Sequence, residues 1–190
     1  MNGTRKLIAF AALLSMSLTT ASAWAADQTA PDREGGSVGI LVGYGFDGAY
    51  HLGLGARGGY TLAAPKIYIG GSFTYHFGQS NDTPLGSISE HLFYLGAEGG
   101  YDLVLGAVPQ LLIRPYLGLG YENVSVSTPP VGVPNTVGLS VNGFSFWPSV
   151  TGLYSFTPAI SAGLDAKVVV ITFSGGDTAF VLSLAGQYKF

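Results

Sequence analysis

Between residues 38 and 190, large apolar side chains recur at every second position in eight segments. The residues between them are small, hydroxylated or charged. A period of two marks strands with two unlike faces. Val38, Ile40, Val42, Tyr44 and Phe46 open the series, and Phe180, Leu182, Leu184, Tyr188 and Phe190 close it. Each segment is close to the ten or so residues that carry a tilted strand across a bilayer. Beyond residue 25 no stretch approaches 18 uninterrupted apolar residues, so helical spans are excluded.

Two closed-sheet architectures alternate in this way, and they differ in which file faces in. A soluble ligand-carrying barrel turns its apolar file inward, whereas a membrane barrel turns it out. Seven ionisable residues decide the matter: Arg57, Glu98, Asp102, Arg114, Glu122, Asp165 and Lys167. All lie opposite the large apolar residues. On a lipid face, Arg or Lys at mid-membrane costs roughly 2–4 kcal/mol, so the charged file points into the lumen. Glycines share that file (Gly43, Gly53, Gly55, Gly70, Gly96, Gly100, Gly118, Gly120 and Gly163 among them). They make room for Arg and Tyr in a tube whose interior only just holds side chains. Three basic against four acidic residues predict a salt-bridged plug. A turn near Ala107 and Val108 would set Asp102 against Arg114, with Arg57, Glu98, Asp165 and Lys167 nearer mid-height.

The connections alternate in length. Those at 62–66, 106–110 and 155–158 are short, while those at 78–91 and 127–138 are long and polar or rich in Pro and Gly. The connections "FDGA" and "SGGD" fall at the long-loop end but are themselves tight. This asymmetry predicts an even-stranded barrel with its amino end in the periplasm.

Residues 1–25 read as a cleaved signal peptide: Arg5 and Lys6, an apolar run at 7–18, then small residues with competing cleavage sites after Ala23 and Ala25. The expected organisation is signal peptide 1–25, short leader 26–36 and barrel 37–190. Removing Arg5 and Lys6 leaves six basic against eleven acidic side chains, a formal charge of −5. No basic patch remains to neutralise a phosphate backbone, so nucleic acid is not an expected partner. The chain has no Cys, which excludes disulfides, zinc–thiolate sites and cysteine nucleophiles. Charged residues make up 10 %, against about 25 % in soluble domains.

Other motifs carry little chemistry. Residues 43–48 and 53–58 both satisfy G-x-G-x-x-G, but alternation runs through them where a dinucleotide site needs a helix. The sequons at Asn81 and Asn123 point to no function here. His51, His76 and His91 are expected at the outer end as solvated rim residues. No nucleophile–base constellation stands out, so no catalytic residue, cofactor or metal site is expected.

The export signal, the eight alternating segments and the terminal "GQYKF" resemble the small bacterial outer-membrane barrels, the OmpA/OmpX-like β-barrel group. The resemblance covers residues 37–190. It implies an all-β fold, an eight-stranded antiparallel up-and-down transmembrane barrel in the outer membrane. It implies contact with outer-membrane lipid and lipopolysaccharide, a monomer, and assembly directed by Tyr188 and Phe190 as the signal read by the barrel-assembly machinery. The functional expectation is a structural or surface-interaction role for a plugged barrel. One alternative is a narrow passive pore for small solutes. Another is a lipid-modifying enzyme of lipid A deacylase type, for which His76 and Ser80 are the nearest candidate pair.

Overall fold

The structure, a computed structural model, describes residues 34–46, 50–78, 80–83, 86–128, 137–172 and 178–190. Residues 1–33, with the expected signal peptide and most of the leader, lie outside that range. The described residues form ten strand runs: β1 (Gly35–Gly45), β2 (Leu52–Thr61), β3 (Ile67–His76), β4 (Ser80–Thr83), β5 (Gly86–Tyr101), β6 (Leu103–Leu105), β7 (Val108–Thr128), β8 (Val137–Ser155), β9 (Ile160–Ile171) and β10 (Thr178–Lys189). The expected leader therefore ends early, since Gly35 and Gly36 already belong to β1.

Ten runs make eight staves. β4 continues β3, because both pair with β5, and β6 continues β5, because both pair with β7. All pairings are antiparallel, and the β1–β10 ladder closes the sheet from Ser37↔Lys189 to Gly45↔Val181. The break between β5 and β6 has a local cause. The β5–β7 ladder ends at Gly100↔Tyr116 and resumes as Leu103↔Ile113, and Pro115, which has no N–H to give, sits in the gap. On the other side of the strand the Asp102 N–H donates to the carbonyl of Lys66 at 2.9 Å.

The register sets the size of the tube. Stepping from Gly35 through Thr61, Tyr68, Gly100, Tyr116, Ser149, Lys167 and Val181 returns to β1 at Gly45, ten residues from the start. With ~3.3 Å rise per residue and ~4.8 Å between strands, that shear on eight strands gives a tilt of about 40° and a backbone radius of roughly 8 Å. Such a tube holds side chains and little else.

The two files part as the charges require. Ile40, Ile69, Leu119 and Leu184 are at least 59 % exposed on the outside, in mid-strand, where a soluble protein would not leave them. Exposed aromatics gather at the strand ends: Tyr44, Phe46, Phe77, Tyr121, Phe144 and Phe180 toward the long loops, and Tyr60, Tyr101, Phe156, Tyr188 and Phe190 toward the termini. These are the two girdles of a membrane barrel. Phe190 closes the seam, its N–H donating to the carbonyl of Gly36 at 3.0 Å.

The long loops are shorter than the sequence suggests. Most of 78–91 is strand, and β7 and β8, with 21 and 19 residues, carry the ladder on to Thr128↔Val137. Past Glu122 the files exchange character. Asn123, Ser125 and Ser140 form a hydrogen-bonded polar ladder on the outer face, while Val124, Leu139 and Val141 fall on the inner file. The lipid-facing band therefore ends near Tyr121 and Phe144, and a ribbon of β4, β5, β7 and β8 rises beyond it.

Candidate functional site in the barrel lumen

All seven ionisable residues singled out from the sequence lie inside the barrel and are at most 9 % exposed. They occupy three levels. Nearest the termini, Arg114 holds Asp102 side-on, with Nε to Oδ1 at 2.5 Å and Nη2 to Oδ2 at 2.8 Å. The hairpin turn is Gly106–Ala107, one residue earlier than the sequence suggests, and a register shift at Val104/Leu105 brings Asp102 level with Arg114. Thr61 Oγ1 donates to Asp102 Oδ2 at 3.2 Å, and the guanidinium of Arg114 lies 3.8 Å from the centre of the Tyr68 ring.

At mid-height Arg57 joins two carboxylates that come from opposite sides of the tube. Its Nε lies 2.8 Å from Glu98 Oε2, and its Nη2 lies 3.0 Å from Asp165 Oδ1. Arg57 also donates to Thr151 Oγ1 at 3.1 Å and to the Tyr116 hydroxyl. Ser72 and Trp147 donate to Glu98 at 2.7 and 3.3 Å. Tyr116 and Thr151 donate to Asp165, and Lys167 Nζ stands 3.7 Å from it. Several staves thus meet on one guanidinium and its two carboxylates. Opposite charges placed this way offset a desolvation cost that either would bear alone.

Toward the loops the filling turns aromatic. Trp147, Tyr94 and His76 are fully buried, with ring centres 5.2 Å apart for Tyr94 and Trp147 and 5.9 Å for His76 and Tyr94. His76 is therefore not the solvated rim residue expected from its place at the end of a strand. It lies on the inward file, and its Nδ1 donates to the carbonyl of His51 at 2.8 Å. Above it sits Tyr50, which the alternation did not mark. Its hydroxyl donates to Glu122 Oε1, and its ring meets His76 edge-on at 5.2 Å. No Lys or Arg pairs with Glu122 among the described residues.

Glycine makes this filling possible. A Cβ on Gly118 would lie 1.8 Å from the Trp147 indole nitrogen, and one on Gly70 would lie 2.2 Å from the Tyr68 hydroxyl. Two cavities inside the tube are small. One of about 20 Å³ lies beside Asp102 and Arg114 at the terminus end, and one of about 10 Å³ lies beside Arg57 and Thr151. Each has room for about one water. Among the described residues no group of three or more metal-ligating side chains occurs.

With this geometry in hand, known structures can be set beside it. Neisserial surface protein A superposes with a TM-score of 0.56 at 14 % identity, over 82 % of this chain and 96 % of that one. A major outer membrane protein from Thermus thermophilus gives 0.55 at 13 %, over 82 % and 99 %. Ail, the attachment invasion locus protein of Yersinia pestis, gives 0.51 at 16 %, over 83 % and 99 %. The fold is that of the small outer-membrane β-barrels. The exposed apolar band of this chain matches the lipid-facing belt of such a barrel. No family model matches the chain, and no curated protein matches it in sequence. At these identities the likeness carries architecture and not activity.

Proposed function

We propose that this protein is a sealed integral barrel of the outer membrane, non-enzymatic, with a structural role or one exerted through its loop-end surface. The observation that carries the reading is the mid-lumen cluster. Arg57, Glu98 and Asp165 are linked across the tube by contacts of 2.8 and 3.0 Å, and the cavities beside Asp102 and beside Arg57 hold about one water each. A hydrated ion would have to part that cluster and leave its members as unpaired charges in a narrow, low-dielectric space.

On this reading the loops face outward, the protein is monomeric, and outer-membrane lipid and lipopolysaccharide surround the apolar band. The barrel-assembly machinery reads the last strand through Tyr188 and Phe190. The ribbon of β4, β5, β7 and β8 is what a partner at the cell surface would meet. Ail bears the name of an attachment invasion locus protein.

Planar-bilayer recordings test the seal. Purified, folded protein is expected to insert without steady ionic conductance. A stable open level in most insertions would replace the sealed reading with that of a narrow solute pore.

A further inference from the structure

We infer that, among the described residues, Tyr50, docked on Glu122, is the side chain that latches the loop end of the lumen, where it shares a buried cluster with Leu92, Val169 and Ala179, and that it is the outer barrier of the barrel. The inference rests on the sealed-lumen reading above and assigns the latch at that end to Tyr50. Tyr50 precedes β2 and belongs to no strand, yet it is only 3 % exposed. Its hydroxyl reaches Glu122 on β7, its ring meets His76 on β3, and it lies 6.4 Å from the Tyr94 ring on β5. One aromatic ring thus spans from its own connection to three staves.

Two features of the surrounding chain fit this placement. Gly45 ends β1 where a Cβ would lie 2.0 Å from the Tyr50 carbonyl oxygen and 2.2 Å from its Cβ, so the inward path of Tyr50 requires glycine there. Glu122 has no basic partner among the described residues, and its Oε1 accepts from the Tyr50 hydroxyl. Taking a donor away from a buried carboxyl oxygen is costly, which holds the ring in the mouth. Below it the inner wall carries Ser145, which is 2 % exposed. Ser145 lies one inward step deeper than Gly143, the residue paired with Glu122.

The absence of native Cys provides a clean probe. Ser145→Cys, near-isosteric, is placed in the full chain folded in vesicles, and a small water-soluble thiol reagent is added to the loop side. Because the Ser145 hydroxyl also reaches Glu122, Thr74→Cys, one inward step below His76 on β3, is labelled in parallel. Heat-modifiable mobility reports that each variant is folded. Each cysteine is expected to stay unreactive with Tyr50 present and to react at least about tenfold faster when Tyr50→Ala is added. Equal, slow labelling in both backgrounds would overturn the assignment to Tyr50 and leave the sealed lumen standing. Rapid labelling with Tyr50 in place would overturn the seal itself. If Tyr50→Ala does not fold, Tyr50→Phe removes only the hydroxyl. It is expected to label several-fold faster than the Tyr50 protein, and an unchanged rate would refute the latch on Glu122.

Discussion

Arg57 shows what a single residue does in this barrel. Its five N–H groups form a planar fork, and Glu98, Asp165, Thr151 and Tyr116 take contacts from it on several sides. Replacing Arg57 with Ala leaves two carboxylates buried, with Lys167, 3.7 Å from Asp165, the nearby cation that remains. The expected cost is about 3–5 kcal/mol, as for other broken buried ion pairs. Reversible urea unfolding in lipid or detergent measures it, and a loss below about 1 kcal/mol would mean the carboxylates find solvent. At this scale the sequence placed the seven charges on the inward file because each lies within an alternating stretch. It missed Tyr50 because parity says nothing outside a strand, and it misjudged His76, which keeps the inward parity of Ser72 and Thr74, because parity does not say whether a strand end is covered. Tyr50 lies in a connection, and His76 is the last residue of β3.

For the elements, alternation was enough to count the staves but not to measure them. β7 runs for 21 residues because the ladder continues into water, where the outer file no longer has to be apolar. The alternating stretch at 123–128 was visible in the sequence. Its polar file sits on the opposite side, so the alternation carries the strand only to Glu122 and puts the loop from residue 127. The lapse between β5 and β6 was likewise written in Pro115, whose missing N–H matters only once its neighbour is known. The lipid face of β10 carries a prediction of its own. Leu184 is 66 % exposed near the middle of the strand, with Ser183 beside it facing the lumen. Leu184→Arg is expected to destabilise the folded barrel by about 2–4 kcal/mol, the depth-dependent cost of a cation on the lipid face. The same unfolding assay reads it, and no loss would place that file away from lipid.

At the largest scale the described barrel follows one polarity rule: apolar outward across the membrane, charged and aromatic inward. Its ladder has no free edge, since β1 pairs with β10. Trp147 tests that rule directly, because it is fully buried in the lumen while its neighbour Phe146 lies on the outward file. The chain has two Trp, and Trp24 falls within the expected signal peptide, so the protein beginning after it carries one indole. Refolded into bilayers of brominated lipid, the protein is expected to show weak quenching of Trp147 fluorescence. Moving the indole one residue, by Trp147→Phe with Phe146→Trp, should bring strong quenching. Strong quenching of Trp147 together with weak quenching at position 146 would contradict the account, because the charged file would then be the one facing lipid.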